Sequence, residues 1–129
     1  MKKKMGRLIR NNTIFYGLEE DGVNFLLSQG FDIELVRPSN TQKNKNPDIW
    51  MLGKTWEIKT PISGNLTTIE RKITKGGRQA ENLIIDLRFV KTSEVRSIKA
   101  LTNRFQKSRR VKNLIIISRT RGLVVIDKK

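Results

Sequence analysis

A chain of 129 residues has the size of one ordinary domain, and 36% hydrophobic residues suffice for a real core. With 27 Lys and Arg against 12 Asp and Glu, the net charge of +15 attracts polyanions, of which nucleic acid is the commonest. Cys and His are both absent, which excludes disulfides, zinc ribbons, thiol nucleophiles, imidazole ligands and the Ser-His-Asp triad.

Chemistry near neutral pH is thereby left to carboxylates, lysines, hydroxyls or a metal held by oxygen, and such ligands suit Mg²⁺ or Mn²⁺. No run approaches the roughly 18 apolar residues that a membrane span needs. The basic start, Met1 to Arg10, has no apolar region behind it, so no signal peptide is expected and the expected compartment is the cytoplasm. The charge is uneven: residues 88–129 sum to +11 and residues 1–87 to +4. The expectation is one domain over 1–129, opened by a basic, mobile arm at 1–12.

In chain order, Gly17 to Gln29 reads as a helix with Leu18, Val23, Leu26 and Leu27 as its apolar stripe. Glu19, Glu20 and Asp21 lie in its first turns and Gly30 at its end. Phe31 to Arg37 alternates and predicts a strand; Pro38 to Pro47 is a polar loop. Asp48 to Thr60 (DIWMLGKTWEIKT) holds two alternating runs around Gly53-Lys54, which predicts a hairpin with a two-residue type II′ turn. Thr67 to Glu70 has capping-box spacing and opens a second helix toward Gly76-Gly77, where either a stop or a bend through Gln79 fits. Asn82 to Val90 is a buried-looking strand. Ser93 to Arg109 is an amphipathic helix with Val95, Ile98, Leu101 and Phe105 inward. Leu114 to Ser118 and Leu123 to Asp127 close the chain as a strand pair. The order α-β-β-β-α-β-α-β-β predicts a mixed α/β fold, a single-layer mixed sheet flanked by helices.

In the predicted hairpin, side chains alternate between faces. Ile49, Met51, Trp56 and Ile58 form a core set, while Asp48, Trp50, Leu52, Thr55, Glu57 and Lys59 share the other face. The expected register sets Asp48 opposite Lys59, roughly 5 Å apart at Cβ, with Glu57 roughly 7–8 Å away on the diagonal. Two carboxylates at such spacing can share a divalent cation, and the ammonium can orient a water or stabilise developing phosphoryl charge. The plain alternative is a solvated hairpin face with an ordinary ion pair. Lys72, Lys75 and Arg78 on the second helix are candidate phosphate contacts or simply a solvated basic face. Trp50 is a packing residue or a base-stacking platform.

Pro47-Asp48 followed by Glu57-Ile58-Lys59 resembles the signature of the PD-(D/E)xK nuclease superfamily, whose core runs α-β-β-β-α-β. Gly53 to Thr60 (GKTWEIKT) followed by Gln79-Ala80-Glu81-Asn82 resembles the C-terminal tRNA-cleaving toxin domains of contact-dependent growth inhibition systems, over about Glu19 to Val90. The resemblance implies Asp48 and Glu57 as metal ligands completed by an acid of the first helix, best placed at Glu19 with Glu20 or Asp21 as substitutes, with Lys59 catalytic and Gln79 contacting substrate or water. It implies a Mg²⁺- or Mn²⁺-dependent endonuclease with tRNA as favoured substrate, delivery into a target-cell cytoplasm, and an acidic immunity protein as partner. The alternatives are a DNA endonuclease or resolvase of the same fold and a non-catalytic, basic nucleic-acid-binding protein.

Overall fold

The computed structural model describes residues 4–14, 17–37 and 48–129. The predicted 38–47 loop and Pro47 lie outside the described residues. Among those described there are seven strands: β1 (Leu8–Ile9), β2 (Ile33–Leu35), β3 (Ile49–Met51), β4 (Lys54–Lys59), β5 (Asn82–Asp86), β6 (Asn113–Ser118) and β7 (Gly122–Ile126). Three helices accompany them: α1 (Leu18–Ser28), α2 (Leu66–Gly77) and α3 (Glu94–Lys107). The strands form one mixed sheet in sequence order, β1 through β7. β1–β2, β4–β5 and β5–β6 pair parallel; β2–β3, β3–β4 and β6–β7 pair antiparallel.

Alternation along the strands divides the core between two faces. Val23, Leu26 and Leu27 of α1 cover Ile49, Met51, Trp56, Ile58, Ile84 and Ile117. On the opposite face, Ile69 and Ile73 of α2 and Leu101 and Phe105 of α3 cover Leu83, Ile85, Leu114 and Ile116. β5 and β6 are thus covered on both sides, which is why their sequences are apolar runs and not alternations. Each such Leu or Ile, fully buried, stabilises the fold by roughly 1.5–3 kcal/mol before conformational entropy is counted. α2 lies close on β5 because Gly76 has no side chain: a Cβ there would come within 2.6 Å of Leu83. Across the start of the parallel strands, Asn82 donates to the Thr55 carbonyl at 2.9 Å and accepts from Asn113 at 2.7 Å.

Several expectations change. The N-terminal arm is fastened from residue 6 onward: Gly6 N–H donates to Leu27 O, Arg7 N–H to Asp32, and Leu8–Ile9 add a strand beside β2. Backbone pairing outweighs the solubility of its lysines and arginines. Asn65, not Thr67, caps α2, accepting from the N–H groups of Thr67 and Thr68, and the helix ends at Gly77 without reaching Gln79. Val95 is 64% exposed, and Ser97 takes the buried place on the first turn of α3. The β5 strand ends at Asp86, four residues before the predicted Val90. There Arg88 makes a bidentate pair with the fully buried Asp86 (3.0 and 2.8 Å) and lies over the Phe25 ring, tying α1 to the sheet.

Candidate active site

The β3–β4 hairpin builds the site, and its turn is Leu52-Gly53, both with positive φ (56° and 73°). That is the type I′ geometry, in which Gly sits second; the predicted II′ turn at Gly53-Lys54 does not form. Pairing becomes Met51↔Lys54, Trp50↔Thr55 and Ile49↔Trp56. The expected facing of Asp48 and Lys59 is therefore overturned, and Asp48 comes level with Glu57 instead. The shift preserves side-chain parity, so the predicted core set of Ile49, Met51, Trp56 and Ile58 is buried as a group.

Asp48 sits where β3 separates from β4. Its own N–H still donates to Trp56 O (2.9 Å), but its carboxylate Oδ2 replaces a strand carbonyl and accepts from Ile58 N–H at 2.8 Å. That bond fixes the carboxylate beside Glu57. Glu57 pairs with Leu83 in the parallel ladder and so points to the face that α2 covers. It is only 4% exposed. Its Oε2 meets the Lys59 ammonium at 3.2 Å, while its buried Oε1 has no hydrogen-bond partner among the described residues.

The electrostatics follow from this crowding. Burial, and then the neighbouring Asp48 charge, push the Glu57 carboxyl up to about 7, against the opposing pull of Lys59. Burial also raises Asp48, opposed by the Ile58 N–H and by Lys59. The charge of Glu19, in the first turn of α1, adds to that rise. Glu19 is thus near enough for its field to be felt, yet no three acidic side chains among the described residues are placed to hold one metal ion.

On the α2 side, burial and the charges of Lys75 and Lys59 lower the Lys72 pKa, so Lys72 lies within the field of Lys59. Lys75 and Arg78 line a hollow of about 310 Å³ with Arg71, Thr74 and Arg104. Gln79 follows the helix, with its N–H bonded to Gly76 O and its side-chain Oε1 buried. Trp50 shares the Glu57 face but is 46% exposed, because α2 and α3 do not extend over β1–β3. It borders a separate open cavity of about 400 Å³ with Arg7, Ile9, Glu34 and Leu52. The structure therefore gathers Asp48, Glu57 and Lys59, with Glu19 and Lys72 at their margin; it sets Lys75 and Arg78 on a neighbouring hollow and Trp50 on a separate cavity.

Two further features surround the centre. Thr60 Oγ1, one residue past Lys59, is buried without a hydrogen-bond partner among the described residues. Arg71 and Arg104 join the predicted basic residues; Arg71, Lys75 and Arg78 follow helical spacing, but the place of Arg104 depends on how α3 packs. Two carboxylates, one with an unsatisfied buried oxygen, are a donor set that fits one hard divalent ion, since Mg²⁺ keeps waters on its remaining positions.

The chain resembles a solved CdiA-CT/CdiI toxin and immunity complex from Burkholderia pseudomallei, with a TM-score of 0.67 and 23% identity. The likeness covers 95% of this chain and 99% of that one. No curated protein matches it. A family model for the contact-dependent growth inhibition CdiA C-terminal domain matches residues 45–123. By that match, which spans more than half of its length, the chain belongs to the contact-dependent growth inhibition CdiA C-terminal domain family, and with membership comes the coarse function of a nuclease-like toxin.

Proposed function

We propose that the protein is a divalent-metal-dependent endonuclease of the PD-(D/E)xK kind, acting on tRNA, with Asp48, Glu57 and Lys59 as its catalytic centre. The observation that carries this reading is the pair of neighbouring carboxylates, one of them 4% exposed, held in a protein whose net charge is +15. A buried pair of acids destabilises a fold unless a cation or a proton sits with it. Asp48 and Glu57 would hold the ion, and Glu19 adds negative potential at their margin. A bound Mg²⁺ or Mn²⁺ would supply Lewis-acid charge that neutralises phosphate and acidifies water.

The chain's own groups have separable roles. The Ile58 N–H holds the Asp48 carboxylate in one orientation, so ordering it costs nothing at the moment of reaction. Lys59 keeps its ammonium against Glu57 Oε2, where it can orient an attacking water and stabilise negative charge on the phosphoryl oxygens. Lys72 brings a second cation toward the same anion from α2. Gln79 is assigned to substrate or water contact, Lys75 and Arg78 to phosphates, and Trp50 to stacking on an unpaired base. The reading includes delivery into a target-cell cytoplasm and restraint by an acidic immunity protein, as the toxin and immunity complex suggests.

The test is incubation with bulk tRNA and with plasmid DNA, in Mg²⁺, Mn²⁺ or EDTA, beside Glu57→Ala. Cleavage of tRNA that needs metal and falls at least about a hundredfold in the variant is expected, because the Glu57 carboxylate belongs to the reacting centre. Cleavage of plasmid alone would move the substrate to DNA. Binding of both without cleavage of either would leave a nucleic-acid-binding protein and overturn the catalytic assignment.

A further inference from the structure

Among the described residues, a dense group of basic side chains lies outside the carboxylate centre, in a furrow between α2 and α3. One hollow, about 310 Å³, is lined by Arg71, Thr74, Lys75, Arg78 and Arg104. A second hollow of the same volume shares Thr74 and Arg104 with it and adds Lys107, Arg109 and Arg110. No acidic residue lines either hollow. Glu70 holds Arg104 in place from outside, at 2.8 Å, and so orients one guanidinium without neutralising the rest. Gly77 keeps the floor narrow, since a Cβ there would come within 3.1 Å of Val111.

We propose that this furrow is a second nucleic-acid contact, a cradle for phosphates of the substrate chain away from the scissile bond. The inference rests on the nuclease reading for the identity of the polyanion and extends it to a substrate class. A chain that fills both the furrow and the carboxylate centre runs along α2, which carries Lys72 and, at the furrow, Lys75. Folded RNA of tRNA size is large enough to occupy both at once.

Charge complementarity alone would also admit an acidic protein. The furrow lacks what a protein interface centres on: none of the large exposed hydrophobic residues borders it. Arg-rich hollows with a hydroxyl, whose one large apolar lining residue, Ile73, is fully buried, suit phosphate oxygens, which take two N–H bonds from one guanidinium.

The experiment is fluorescence anisotropy in EDTA, where no cleavage occurs, with labelled bulk tRNA and a labelled tetranucleotide as probes. The groove variant is Arg71→Ala/Arg109→Ala/Arg110→Ala, three exposed residues that leave the Arg104–Glu70 pair in place. The control is Lys91→Ala/Arg96→Ala/Arg121→Ala, which removes equal charge from the other ends of α3 and β6. The groove variant is expected to lose about tenfold or more in tRNA affinity and to reduce the salt slope by about 2 to 3, with tetranucleotide affinity unchanged. In the cleavage assay its KM should rise with kcat preserved. Unchanged tRNA affinity would overturn the proposal and leave the furrow to an acidic protein, and an equal loss in the control would reduce it to net charge. If wild type cleaves nothing while the groove variant still loses binding, the catalytic reading fails and the furrow stands.

Discussion

At Glu57 the fold holds a carboxyl whose affinity for a proton is raised to about 7 from an ordinary 4.5. The folded state therefore binds more protons than the unfolded one between those values, and stability falls as pH rises through that window. At 1.4 kcal/mol per pKa unit the cost of charging it is on the order of 3 kcal/mol. Glu57→Gln in EDTA should raise the Tm at pH 8 relative to wild type, and the gap should close below pH 4.5. Melting curves at pH 4, 6 and 8 check this; a variant less stable at pH 8 would mean that the Lys59 pair outweighs the burial. The same assay reads metal without turnover. Millimolar Mg²⁺ or Mn²⁺ should raise the Tm of wild type at pH 8 and leave Glu57→Gln unmoved.

At the scale of elements, the hairpin and the α2–β5 contact set the site. Leu52 occupies a left-handed turn position that costs an L side chain about 1 kcal/mol, and its side chain is 63% exposed. Leu52→Asn should stabilise by roughly that amount in urea titration, because Asn tolerates the conformation and little packing is lost. Gly76→Ala should do the opposite: the added methyl meets Leu83 at 2.6 Å and forces α2 outward, costing about 1–3 kcal/mol. Leu83→Ala in the same chain should relieve the clash, so the double variant should lose less than the two single losses combined. Additivity would show that the helix does not rest on Leu83.

For the whole molecule, a charge of +15 acts as a field before any contact forms. Raising salt from 50 to 200 mM should weaken tRNA binding by about a thousandfold or more if six or more phosphates are neutralised. Titration of anisotropy against salt gives the number directly, and a slope shallower than about −3 would confine the contact to the carboxylate centre. Among the described residues no helix is long and apolar enough to cross a membrane. The field is divided by the layers: α1 brings Glu19, Glu20 and Asp21 to one end of the sheet, whereas α2 and α3 bring the arginines together on the other face.

Much of this was legible in the residues because it depends on periodicity. Alternation in DIWMLGKTWEIKT put Ile49, Met51, Trp56 and Ile58 in the core and the two acids on the opposite face, whichever turn formed. The apolar runs of β5 and β6 likewise announced strands covered on both sides. Parity could not choose between registers two positions apart, so the partner of Asp48 was settled only when Gly53 took the second place of a I′ turn. Burial of Glu57, the fastening of Leu8–Ile9 to β2, and the approach of Arg104 to Arg71 and Arg78 are long-range outcomes. Each depends on which elements become neighbours, and local sequence carries no term for that.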